Sequence, residues 1–143
     1  MPMEDLAGVE QVVPAQDSLT RLLAGAERHI ADAKVQRISL ETRFFSAYAA
    51  IRMLAHACLL AQGYRPTGEG ARADPSATQS LPVTLGIDEK GAARIEKLRR
   101  LRDLTEATGN IIPESALKVC VQQAESLRAK TLAWLKIHHP ELL

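Results

Sequence analysis

From residue 17 onward, apolar positions recur along this chain at the three-and-four spacing of amphipathic helices. Leu19, Leu22, Leu23, Ala26, Ile30 and Ala33 share one helical face behind Asp17 and Ser18, a good N-cap pair. That predicts a first helix ending near residues 34–36. Ser39 is the N-cap expected for a second helix closed by Gly63. Its apolar stripe is Leu40, Phe44, Ala47, Tyr48, Ile51, Leu54, Ala55 and Cys58, with Phe45, Ala49, Met53 and Leu60 in a second stripe beside it. A helix apolar over so much of its circumference sits at the centre of a bundle, or buries a second face against a partner subunit.

Tyr64 to Asp74 holds Gly, Pro and charge without a period, and predicts a surface loop. A short helix is expected from Asp74-Pro75 through Thr78 and Leu81, ending before Gly86. Asp88 caps the next helix, which runs to about Ala107 and stops at Gly109-Asn110. Pro113-Glu114 opens the last, where Leu117, Cys120, Val121, Ala124, Leu127, Thr131, Trp134 and Leu135 hold one stripe up to His138-His139-Pro140. Residues 1–16 show no sustained period and predict a flexible tail, dispensable for folding. The pattern as a whole predicts an all-α chain. It is an antiparallel up-and-down bundle of four main helices plus one short one, spanning residues 17–143.

Composition narrows this picture without redirecting it. The 143 residues suit one domain, and with only 3% aromatics the core must be built from Leu, Ala, Ile and Val. Eighteen basic residues against 17 acids leave a formal charge of +1, so binding to nucleic acid would rest on a local patch and not on a global field. Cys58 and Cys120 fall on apolar stripes and read as core residues, with no CxxC spacing. The opening Met1-Pro-Met-Glu-Asp is acidic where a secretory leader is basic, and no 18 apolar residues run together. A cytoplasmic protein without a membrane span is the expectation.

Chemistry concentrates on few side chains. Arg102 projects between Ile95 and Leu98 in the apolar arc of its helix, together with Leu101 and Thr105. A guanidinium there must be paired or must face a cleft. It is either a salt-bridged Arg, with Glu106 one turn on, or a ligand for phosphate. Arg52 and His56 lie one turn apart on the second helix, where His56 is either an acid/base group beside a phosphate or a half-buried contact. His29 aligns with Leu22, Ala26 and Ala33 as a core-edge histidine. The adjacent His138 and His139 face different ways, and no metal or other cofactor is expected. Gly68-Glu-Gly70 lacks the Lys and Ser/Thr of a phosphate loop, and no nucleophile sits in a recognisable turn.

The order of several stretches resembles the HEPN superfamily, in its branch of small stand-alone bacterial domains. They are Ser39-Leu-Glu-Thr-Arg-Phe-Phe-Ser-Ala-Tyr48, Gly63-Tyr-Arg-Pro66, Leu81-Pro-Val-Thr-Leu-Gly86, Lys97-Leu-Arg-Arg-Leu-Arg-Asp103 and Trp134-Leu to His138-His-Pro-Glu-Leu142. The resemblance extends over roughly residues 18–142 and implies an up-and-down bundle that pairs as a homodimer. Many such proteins are metal-independent ribonucleases of toxin–antitoxin or phage-defence systems. Their signature is an Arg, often followed by a polar residue, with a His or Tyr some four to six positions on. Arg102 and Asp103 match its first part. Ala107 stands where the partner is expected, and no His or Tyr lies in this segment.

Metal-free cleavage needs the 2′-OH deprotonated and the leaving oxygen protonated, and an always-charged Arg does neither. The expectation is therefore a dimer with an RNA- or nucleotide-phosphate-binding cleft at Arg102, Arg99 and Arg52, and weak or absent catalysis. One alternative is an active ribonuclease using Arg102 and Asp103 with His56 or Tyr48. Another is a non-catalytic interaction bundle, antitoxin-like or part of a larger assembly. Expected partners are a second copy, RNA or a nucleotide, and a cognate antitoxin or defence protein. For the homodimer, Phe45, Met53 and Leu60 are the expected seam.

Overall fold

The computed structural model describes residues 8–67 and 78–143, at Val83 the backbone alone. Four long helices dominate the described residues: α1 (Gln16–Ala33), α2 (Leu40–Ala61), α4 (Glu89–Thr108) and α5 (Glu114–His138). A short α3 (Leu81–Leu85), a 3-10 turn at Pro140–Leu142 and two strands, β1 (Val9–Gln11) and β2 (Tyr64–Pro66), complete the order. The protein is an all-α helical bundle.

Local chemistry sets most boundaries. Ser39 Oγ accepts the Thr42 N–H at 3.2 Å, and Asp88 Oδ1 accepts the Gly91 N–H at 2.8 Å, so each relieves an orphan donor of its helix. After α2 the chain turns through Gly63 at φ 88°, a left-handed conformation that glycine adopts without a Cβ clash. Asp17 and Ser18 are not the cap of α1. Ala15 holds that position without a side-chain bond, and Asp17 lies in the first turn, where its charge still suits the helix dipole. The Asp74-Pro75 start and the Gly68-Glu-Gly70 loop lie outside the described residues.

The stretch expected to be a flexible tail differs from that reading at residues 8–16. β1 pairs antiparallel with β2, Val9 opposite Pro66 and Gln11 opposite Tyr64. Val12 N–H donates to Gly63 O at 2.8 Å, and Arg65 pairs with Glu10. The ribbon pins the start of α1 to the end of α2. Residues 1–7 lie outside the described residues.

α2 is the central helix. Phe44, Tyr48, Ile51, Leu54, Cys58 and Leu59 are fully buried, and α1, α4 and α5 all pack on it. Arg43 Nε donates to Ala33 O at 2.9 Å at one end, and Leu19 meets Ala57 and Ala61 at the other, so α1 and α2 are antiparallel. α5 runs alongside in the direction of α2, with Cys58 Sγ 3.7 Å from Thr131 Oγ1 and Leu135 against Ala57 and Ala61. At Gly25, α1 comes close to a side chain of α2. A Cβ there would lie 2.9 Å from Met53 Sδ, so the thioether packs into the room that the absent side chain leaves. By length and composition α2 passes for a membrane span, although no unbroken apolar run crosses it. Most of it is buried inside this bundle, which accounts for the same composition.

An arginine pair in a cleft between three helices

One face of α2 presents Thr42, Ser46, Ala49 and Arg52, at the spacing that aligns residues along a helix. With Phe45 beside them, these side chains form one wall of a cleft of about 270 Å³. His29 of α1 and the pair Arg102 and Glu106 of α4 close it. Two guanidiniums, an imidazole, two hydroxyls and one carboxylate thus surround a single space. Such a donor-rich set suits an anion.

Arg102 keeps only 15% of its side chain exposed, as its place in the Ile95–Leu98–Thr105 arc requires. Its Nη1 donates to Asp103 Oδ1 at 3.4 Å, and Nη2 lies 3.6 Å from Glu106 Oε1. The guanidinium also stands 5.6 Å from the centre of the buried Tyr48 ring. Paired acids and an aromatic face together meet the cost of burying this charge. Glu106 is largely exposed, so its pairing with Arg102 is screened and exchangeable for another anion.

The other residues expected at the site sit around the cleft and do not line it. Asp103 holds Arg99 through Oδ2 at 3.1 Å and Arg102 through Oδ1, so it orients the pair. Arg99 also makes two hydrogen bonds to Glu96, whose carboxyl is held below the usual range chiefly by the Arg99 hydrogen bonding. His56, one turn beyond Arg52, is half-buried with Nε2 sealed off and without a hydrogen-bond partner. Burial, and then the Arg52 charge, push its pKa below 6.5. Ala107 is exposed and lies outside the cleft.

His29, half-buried at the edge of the core as its spacing suggested, also lines the cleft, with Nδ1 buried and unpartnered. Its alignment with Ala26 and Ala33 gave no hint of Arg102, 73 positions away by the numbering. Cys58 and Cys120 are buried, free thiols whose pKa values burial pushes up to about 12, so neither is a nucleophile. Trp134 packs its ring near those of His138 and His139, at 5.8 and 5.0 Å. Among the described residues no three His, Cys, Asp or Glu side chains converge as a metal site. Neither the protein-family models nor the curated proteins contain a match to this sequence.

Proposed function

We propose that this chain is a HEPN-like, dimer-forming bundle whose cleft between α1, α2 and α4 holds a phosphate of RNA or of a nucleotide. On this reading it has ribonuclease-type ancestry in a toxin or phage-defence setting, with weak or absent cleavage. The observation that carries the proposal is the convergence of Arg52 and Arg102, 50 positions apart by the numbering, on one cleft that also offers Thr42 and Ser46 hydroxyls. Two rigid donor forks facing one space match the oxygens of a phosphate. No aromatic or imidazole group stands at position 107 to move protons, and Arg cannot do so.

Of the residues expected at a dimer seam, Met53 is committed to Gly25 of its own chain and Phe45 opens onto the cleft. A seam at Phe45 would bring the two clefts of a dimer together. Fluorescence anisotropy with a short single-stranded RNA tests the site. Arg52→Ala and Arg102→Ala should each lower affinity at least about tenfold, while the exposed Arg21→Ala should not. Equal affinity in all three would retire the proposal.

A second reading, an active metal-independent ribonuclease, gains from His29. It puts an imidazole on the same cleft as Arg102, where His56 does not reach. If it holds, total RNA incubated with the protein and a chelator is cut, and His29→Ala abolishes the cutting.

A further inference from the structure

Helices α4 and α5 run antiparallel but touch each other sparingly, and no described residue fills the space between them. Two hollows occupy it, of about 290 and about 520 Å³, and Arg94 lines both. The lining positions on α4 extend from Lys90 to Leu101, and the smaller hollow continues to Gly86 beyond its start. At 1.5 Å per residue that is a groove of about 15–20 Å, three to four turns of a helix. Its floor in the larger hollow is Leu98, Leu101, Ala116 and Val119. One turn beyond Leu101, Leu104 is 51% exposed, and Ile111 in the α4–α5 connection is 81% exposed.

The charges on the larger hollow carry one sign. Lys90, Arg94 and Lys97 line the larger hollow, which has no acidic residue on it. Their spacing, four and then three positions, stacks them on one face of α4, where like charges repel and weaken the helix. None of the three has an ion pair with a described residue. Glu96, beside Lys97, is engaged by Arg99 and Arg100, and Glu89, beside Lys90, does not line the hollow. Asp88, on the smaller hollow, is occupied in capping α4.

We infer that the α4–α5 groove is a docking site for an acidic amphipathic helix of another protein, three to four turns long. Its apolar stripe would cover Leu98, Leu101 and Val119, and its carboxylates would face Lys90, Arg94 and Lys97. The charges argue for this occupant over two others. In a two-fold pairing of this face, residues of one copy meet the same patch of the other, and three cations would confront three cations. A nucleic acid would satisfy the cations but leave the apolar floor in contact with its hydrated backbone. The inference is independent of the phosphate cleft, whose residues lie on the α1–α2 side of α4.

The test uses a fluorescein-labelled synthetic helix of about 15 residues, with Leu at the three-and-four spacing and Glu on its flanks. Its counterpart carries Lys in place of every Glu. Anisotropy with the intact protein should show the acidic peptide binding at least about tenfold tighter than the basic one. The Arg94→Glu/Lys97→Glu variant should reverse that order, and Lys97→Glu alone should narrow it. Ala116→Trp should fill the floor and weaken both peptides, with helical circular dichroism unchanged. Equal binding of the two peptides, or an order unaltered by the charge reversals, overturns the inference. So does sedimentation showing a dimer that Val119→Glu dissociates and that excludes the peptide. Displacement of the peptide by a short single-stranded RNA, lost in the charge-reversed variant but kept in Arg102→Ala, overturns it in favour of nucleic acid.

Discussion

The Arg102 guanidinium lies over the ring of Tyr48, 5.6 Å from its centre, and joins α4 to the most buried part of α2. A cation against a desolvated ring contributes about 0.5–2 kcal/mol, and the Asp103 and Glu106 contacts add to it. Arg102→Ala should therefore lower stability by about 1–3 kcal/mol. Arg102→Lys should recover part of the stability but less of the RNA affinity, because an ammonium cannot present two parallel donors. Thermal melting and RNA titration of both variants read the two effects apart. Lower stability with unchanged affinity makes Arg102 a structural residue only.

His56 makes the fold sensitive to acid. The folded state holds its pKa below 6.5, so near and below that value the unfolded chain binds a proton that the folded chain does not. The stability it contributes is complete above about pH 6.5 and is lost as pH falls through the folded-state value. Urea midpoints measured from about pH 7.5 to 5 should decline, and His56→Gln should flatten the decline. An unchanged slope would place the acid sensitivity elsewhere.

At the alkaline end the two thiols take over. With both pKa values pushed up to about 12, the fold keeps them protonated after the unfolded chain would ionise them. Their contribution is intact below the ordinary thiol value and falls as pH rises from there toward about 12. A thiol reagent at pH 8 should leave the native protein unmodified and label two cysteines in denaturant. Rapid labelling of the native state would show that the core opens easily.

Gly25 tests a close contact between α1 and α2. A Cβ there meets the flexible Met53 thioether, so Gly25→Ala should be tolerated through a shift of Met53. Gly25→Ile should force α1 and α2 apart and cost about 1–3 kcal/mol. A melt showing no loss for the Ile variant would mean that α1 can slide without penalty.

These sites were unequally legible in the sequence. Ser39, Gly63, Asp88 and Gly109 act on their immediate neighbours, and each marks a helix end where its residue type suggested. Arg102 could be placed by angle alone, since Ile95, Leu98 and Thr105 share its helix. The cleft could not, because its walls come from positions 29, 42–52 and 102–106, and only packing joins them. β1 escaped for a related reason. Three residues show no period, and the partner of Glu10 is Arg65, far along the chain. Asp17 and Ser18 misled because both are good caps, while the helix begins at Gln16 with Ala15 as its cap.

That ribbon supplies a further prediction. A chain starting at Gln16 loses β1 and the bond from Val12 N–H to Gly63 O. The loss should be about 1 kcal/mol, a fall of about 4 °C in melting temperature, with helical content retained. An identical melting curve would restore the segment to the status of a tail.

The central place of α2 also orders events in time. Its contacts with α1 are close in sequence and closed by a short turn, so this pair can zip together before the rest of the chain is in place. α4 holds on through Ile95, Leu98 and the Arg102–Tyr48 stack, and touches α5 little, so few cooperative neighbours retain it. Amide hydrogen exchange should therefore grade the molecule, with α2 protons persisting until global unfolding and α4 protons leaving through a smaller, cheaper opening. Each such opening would expose both the arginine cleft and the α4–α5 groove to solvent at once, so the lifetime of one helix would set the availability of both.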